Sequence, residues 1–137
     1  YSAPAYEATS DAALVSDTED VVLNTPTDYG NSYPIGQCTW GVKEMAPWAS
    51  NWWGNANTWA INAGAQGYAT GNVPVPGAIA VWDGGEYGHV AYVTDVQNDS
   101  SIQVLEANYN HQKQINNYRG YFNPNEFMGG VTYIYPN

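Results

Sequence analysis

The chain has 137 residues, with 13 acidic side chains against 3 basic ones and a formal charge of −10. That length supports one domain with a real core, not two. The charge excludes a nucleic-acid binder and a binder of anionic lipid, since both need a basic footprint. No stretch is apolar for long enough to cross a membrane, and no signal peptide is visible. One cysteine, Cys38, rules out an internal disulfide. Few lysines and many Gly, Asn, Tyr and Trp give the composition of an extracellular domain.

Residues 1–28 carry six acids and no base, with Ala, Ser and Thr filling much of the rest. This reads as an acidic, flexible lead-in or linker, with the folded domain beginning at Tyr29 and running to residue 137. "CTWGVKEMA" (38–46) suits a short helix closed by Pro47; Gly41 weakens it by about 1 kcal/mol relative to Ala. "PWASNWWGN" then reads as a loop carrying Trp48, Trp52 and Trp53. "NANTWAINAGAQG" (55–67) predicts a second helix, with Asn55 or Asn57 as cap, Trp59, Ala60 and Ala63 on one face, and Gly67 at its end.

After "PVPG" the pattern turns β-branched and aromatic. "AIAVWD" (78–83), "HVAYVTDV" (89–96) and "IQVLEANY" (102–109) predict strands, with "NNYRGYF" and "VTYIYP" as later ones. Helices first and strands after, without alternation, indicate an α+β fold with an antiparallel sheet.

Cys38 falls at the start of the first predicted helix, where unpaired N–H groups and the helix dipole favour a thiolate. Taken alone, the thiol reads better as a small buried hydrophobe. A nucleophilic cysteine needs a base. His89 opens a strongly patterned strand that can fix its position, whereas His111 lies in the polar run "NYNHQKQINN" and reads as a loop residue. The base needs an orienting partner. The second and third strands are joined by "QNDSS", a plausible hairpin. An even-length turn sets His89 opposite Glu106 or Asn108, which share a face; an odd one puts them on the other side. Glu106 also interrupts an apolar run, and a carboxylate there needs a partner or an exposed edge.

"GQCTW" (36–40), "GHVAYV" (88–93) and "LEANYN" (105–110), in this order, resemble the CHAP family of cysteine, histidine-dependent amidohydrolases and peptidases. "WGNANTWAINAGAQGY", "PGAIAVWD" and "GGVTYIYP" strengthen the likeness, which covers residues 29–137. The resemblance implies a papain-like fold and hydrolysis of peptidoglycan amide bonds by a secreted protein of a Gram-positive wall system. It implies Cys38 as nucleophile, His89 as base, Glu106 as orienting acid and Asn108 as a further polar member of the site. The tetrahedral oxyanion needs preorganised donors: the Cys38 N–H is one, and Tyr33 or Gln37 the second. Each of those two also has a plain structural reading, Tyr33 as a packing residue before Pro34 and Gln37 as a helix-start residue.

Trp52, Trp53 and Trp82 are candidates for substrate stacking, against the ordinary alternative that aromatics fill a core; Trp40 and Trp59 read as core. Gly84, Gly85 and Gly88 predict the tight turn that presents His89. No Asp-x-Asp cluster lies beside Cys38, and one cysteine with two unlike histidines makes no zinc set, so neither metal nor other cofactor is expected. The expected partner is peptidoglycan, bound by a monomer with further domains upstream. The same residues serve an N-acetylmuramoyl-L-alanine amidase or an endopeptidase of the stem or cross-bridge. The rivals are a wall-binding or adhesive module on the same scaffold, with little or no activity, and a cytosolic cysteine hydrolase of small molecules.

Overall fold

The computed structural model describes residues 30–137; the acidic lead-in expected over residues 1–28 lies outside the described residues. The first predicted helix forms as α1, Cys38–Met45, and ends before Pro47, which cannot continue it. Lys43 in its last turn is buried, and its ammonium donates to the carbonyls of Pro47 and Ala49. The second helix opens with a 3₁₀ turn, Ala56–Thr58, and continues as α2, Trp59–Ala65. Neither expected asparagine cap forms: Asn55 makes no side-chain cap bond, and the Asn57 amide donates to the Glu86 carbonyl. Trp59 and Ala63 are fully buried on the predicted face, and Gly67 ends the helical region with φ at +96°.

Five strands follow: β1 Thr70–Gly71, β2 Ile79–Trp82, β3 His89–Asn98, β4 Ser101–Leu105 and β5 Val131–Ile134. They form one sheet in the order β1-β5-β2-β3-β4, with every pairing antiparallel. The fold class is therefore α+β, with N-terminal helices packed on an antiparallel sheet. "NNYRGYF" does not form the expected strand. It crosses the sheet edge and touches it at isolated bridges, Glu106↔Asn116 and Ile102↔Phe122.

Both sheet faces are covered. Ile79, Val81, Val90 and Ile134 pack against Val42, Ala46, Trp53, Trp59 and Ala63 on the helix side. Ala80, Trp82, Ala91, Val93, Ile102, Val104 and Tyr133 form a second core, closed by Phe122, Phe127 and Met128 from the long segment between β4 and β5. This explains why β2 reads as an unbroken apolar run: all four of its residues are buried, in alternation, in two different cores.

The hairpin between β3 and β4 decides which side chains share a face. Its turn is tight, with Asn98 paired to Ser101 and the Asn98 side chain accepting from the Ser100 N–H at 2.8 Å. Two register shifts interrupt the ladder, one between Val93 and Asp95 and one between Val96 and Asn98. A single bulge reverses face parity beyond it, and a second restores it. Glu106 therefore returns to the face of His89, as the even-turn reading requires.

Gly41 tests how tightly α1 sits. A Cβ there would meet the Ala107 Cβ at 2.8 Å, closer than any real contact. Helix propensity alone predicts that Gly41→Ala stabilises by about 1 kcal/mol. Overpacking costs about 1–3 kcal/mol, so the expected outcome in urea unfolding is no gain, with a net loss of roughly 0–2 kcal/mol.

Candidate active site

Cys38 is the first residue of α1, preceded by Gln37 in extended conformation as the cap residue. The first amides of a helix have no partner within it and point out of its N-terminus, so the thiol stands beside free donors. Only 9% of Cys38 is exposed.

His89 is the first residue of β3, at the end of the sheet. The turn that delivers it depends on glycine. Gly85 and Gly88 have φ of +73° and +77°, and a Cβ on Gly88 would meet the Trp82 carbonyl oxygen at 2.6 Å and the Asn57 nitrogen at 2.7 Å. A Cβ on Gly84 would meet the Met128 carbonyl oxygen at 2.3 Å. All three predicted turn glycines are therefore required, two by backbone conformation and two by close approach. The His89 ring lies against Trp82 and Phe127, with centroids 5.8 Å away in each case.

Glu106 follows the last residue of β4 and is completely buried. Its Oε1 lies 2.8 Å from His89 Nε2, which leaves Nδ1 as the ring nitrogen for the thiol. The carboxylate has a second partner that sequence reading missed: Arg119 donates from Nε to Oε2 at 2.8 Å and from Nη2 to Oε1 at 2.7 Å. The signal was present. A carboxylate buried with one titratable partner wants a permanent cation, and Arg119 is the only arginine in the chain, set among tyrosines and a phenylalanine.

Burial is the largest single influence on His89 and disfavours its charge, but hydrogen bonds to Cys38 and Glu106, together with their charges, outweigh it and push its pKa up to about 9. Burial likewise disfavours the Glu106 carboxylate, yet the hydrogen bonds and charges of Arg119 and His89 hold its pKa below the usual carboxylate range. The site is built to keep an imidazolium beside an ionised carboxylate at neutral pH.

Cys38 and His89 line an open cleft of about 510 Å³, with Gln37, Tyr87, Asn108 and Phe127 around them, while Glu106 and Arg119 lie behind its wall. Asn108 departs from the expected strand position: β4 stops at Leu105, and Asn108 adopts φ +58°, which breaks the two-residue alternation. Its carboxamide donates to Gln37 Oε1 at 3.3 Å and accepts from Lys113 Nζ at 2.9 Å. Asn108 thus ties the sheet end to the cap residue of α1. Gln37 is exposed and in the cleft, whereas the Tyr33 hydroxyl donates to the Ser50 carbonyl at 2.6 Å and its ring packs on Trp59. Of the two candidate oxyanion donors, the structure brings only Gln37 to the cleft wall.

The tryptophans need correction. Trp53 and Trp82 are fully buried and offer no surface to a substrate. Trp53 packs edge-on against Trp48 and Trp59, and the Trp82 indole donates to the Pro124 carbonyl at 2.8 Å. Local sequence could not separate them from Trp52, which is 64% exposed. Trp59 is core as expected, but Trp40 is only half-buried. His111 lies exposed in a loop with φ +67° and does not line the cleft.

A match to the CHAP domain family covers residues 28–108. A Streptococcus mutans protein, whose name assigns it provisionally to the hydrolases, is 58% identical over 109 residues, 78% of this chain and 52% of that protein. The N-acetylmuramoyl-L-alanine amidase sle1 of Staphylococcus aureus is 42% identical over 117 residues, 82% of this chain and 35% of the amidase. Among solved structures, an N-acetylmuramoyl-L-alanine amidase from Staphylococcus aureus superposes with a TM-score of 0.62 at 26% identity, over 88% of this chain and 36% of that one. The chain therefore spans about half the length of the streptococcal relative and about a third of the staphylococcal one.

A raised histidine pKa has a defined consequence for charge. The His89 imidazolium is expected to persist through neutral pH and to be lost on the alkaline side with a midpoint near 9. Imidazole NMR titration of His89 should give the same midpoint, and Glu106→Gln, by removing a supporting charge, should lower it.

Proposed function

The chain belongs to the CHAP domain family, and on that premise we propose that it is a secreted peptidoglycan hydrolase that cleaves a wall amide bond with Cys38 as nucleophile. The observation that carries the reading is Cys38 and His89 together on the wall of a cleft, with the imidazole held at 2.8 Å by the buried Glu106 carboxylate behind it. The amidase names of the staphylococcal relatives support the substrate class.

The steps follow from the parts. His89 and Cys38 react as a thiolate–imidazolium pair, or His89 takes the thiol proton as attack begins. The sulfur adds to the amide carbonyl carbon, and the electron pair moves to the carbonyl oxygen. The Cys38 N–H at the helix start stabilises that oxyanion, with the Gln37 amide as second donor. Its Oε1 is occupied by Asn108, which orients the NH₂ end. The tetrahedral adduct collapses, His89 gives its proton to the departing amine, and a thioester remains. Neutral His89 then activates water, which hydrolyses the thioester and restores the pair. Glu106 holds the imidazole and stabilises its charged form throughout. The cleft is open, which suits a wall polymer better than a small metabolite.

The bond cleaved is the lactyl amide between N-acetylmuramic acid and L-alanine, in line with those relatives. Mass spectrometry of fragments released from purified walls tests both levels. A new free amine on the stem L-alanine is the expected product; cleavage inside the peptides would reassign the chain as an endopeptidase. Cys38→Ala should lower release on the order of a thousandfold or more. Wild-type protein that binds walls, keeps binding as Cys38→Ala, and releases nothing would be a binding module, not an enzyme.

A further inference from the structure

The mechanism above uses Glu106 but gives Arg119 no task. Arg119 nevertheless has the most specific surroundings of any charged group in the site. Its side chain is 7% exposed. The guanidinium carbon lies 4.1 Å from the ring centres of Phe122 and Phe127, 4.3 Å from Tyr109 and 5.4 Å from Trp82. A guanidinium is weakly hydrated and stacks on aromatic faces, so this cage can hold a permanent cation where an ammonium would be poorly placed.

The fork geometry adds orientation to charge. Nε takes Oε2 at 2.8 Å and Nη2 takes Oε1 at 2.7 Å, while the same Oε1 lies 2.8 Å from His89 Nε2. Both carboxylate oxygens are pinned from one side, so the group cannot rotate without breaking two charge-assisted bonds. Removing the cation would leave a fully buried carboxylate whose neutral form burial favours, and a protonated acid would hold the imidazolium poorly. From His89 outward the charges alternate: imidazolium, carboxylate, guanidinium. The chargeable groups set against Glu106 are His89 from β3 and Arg119 from the segment after β4; against His89 they are Cys38 from α1 and Glu106.

We propose that Arg119 is a positioning residue of the catalytic array, acting through Glu106 by locking both the orientation and the ionised state of its carboxylate. The inference rests on the reading of Cys38 and His89 as the reacting pair. It predicts a coupling, not just a loss.

The test pairs Arg119→Met, which keeps an apolar body in the aromatic cage, with Arg119→Lys, which keeps a charge without the fork. Each is made alone and in a Glu106→Gln background. Carbon-13 carboxyl titration, assigned with Glu106→Gln, should show the Glu106 midpoint rising in Arg119→Met and rising less in Arg119→Lys. Turnover on soluble wall strands should fall roughly tenfold or more in both single variants, with KM little changed. In the Glu106→Gln background the Arg119 changes should cost nothing further, because the group they act through is gone. An unmoved Glu106 midpoint in Arg119→Met, or equal losses in both backgrounds, overturns the proposal. If near-UV circular dichroism shows Arg119→Met unfolded, Arg119→Lys decides: wild-type turnover there overturns the proposal. The titration needs no substrate. A wild-type chain that titrates as expected but releases no wall fragments overturns the wall-hydrolase reading and leaves the clamp standing.

Discussion

A carboxylate with no solvent exposure is tolerable as an anion only when its oxygens are matched by donors of opposite charge, because stripping water from an ion costs several kcal/mol. Glu106 meets that condition through three charge-assisted contacts, one to His89 and two to Arg119. Much of the surrounding architecture follows from this requirement. The segment after β4 must fold back over the sheet to bring Arg119 in, and it does so by pairing Asn116 with Glu106 through both backbone hydrogen bonds. The aromatic rings that close the second core then serve twice, as packing and as the walls of the guanidinium cage.

The site lies where the two cores come together. Cys38 belongs to the core on the helix side, while Trp82, the register partner of His89, belongs to the core on the other side. They can meet because each stands at the beginning of its element, Cys38 opening α1 and His89 opening β3. Element termini are where backbone donors remain free and side chains can reach around an edge. The glycine turn before His89 and the Asn108–Gln37 bond fix this junction from two sides. Such a junction would hold the geometry of the proposed nucleophile and base before substrate arrives.

Much of this was legible along the chain. The run ending at Pro47 placed α1 correctly, and β-branched and aromatic runs between turn residues placed β2, β3 and β5. The sequence made the face-sharing of His89 and Glu106 conditional on an even turn; the structure has that turn, and two bulges in the ladder cancel. The misreadings have one source. Trp52 and Trp53 are neighbours in sequence, yet one is exposed and the other sealed between Trp48 and Trp59. In a loop no periodicity assigns a side to each residue, so burial there depends on what packs against it from elsewhere. The segment around Arg119 misled for a similar reason: its aromatics suggested a strand, but they cover a core and hold a cation.

Sequence by itself determined the candidate groups and their order, a thiol at a helix start, an imidazole at a strand start and a carboxylate one hairpin away. Those are local properties, written in caps, turns and alternation. Only the tertiary structure decided that Arg119 joins Glu106, that Asn108 turns toward Gln37 and away from strand alternation, and that Trp53 and Trp82 are core. Each of those outcomes depends on a contact between residues far apart in the chain, and the free energy of such a contact does not exist until the fold has brought both sides together.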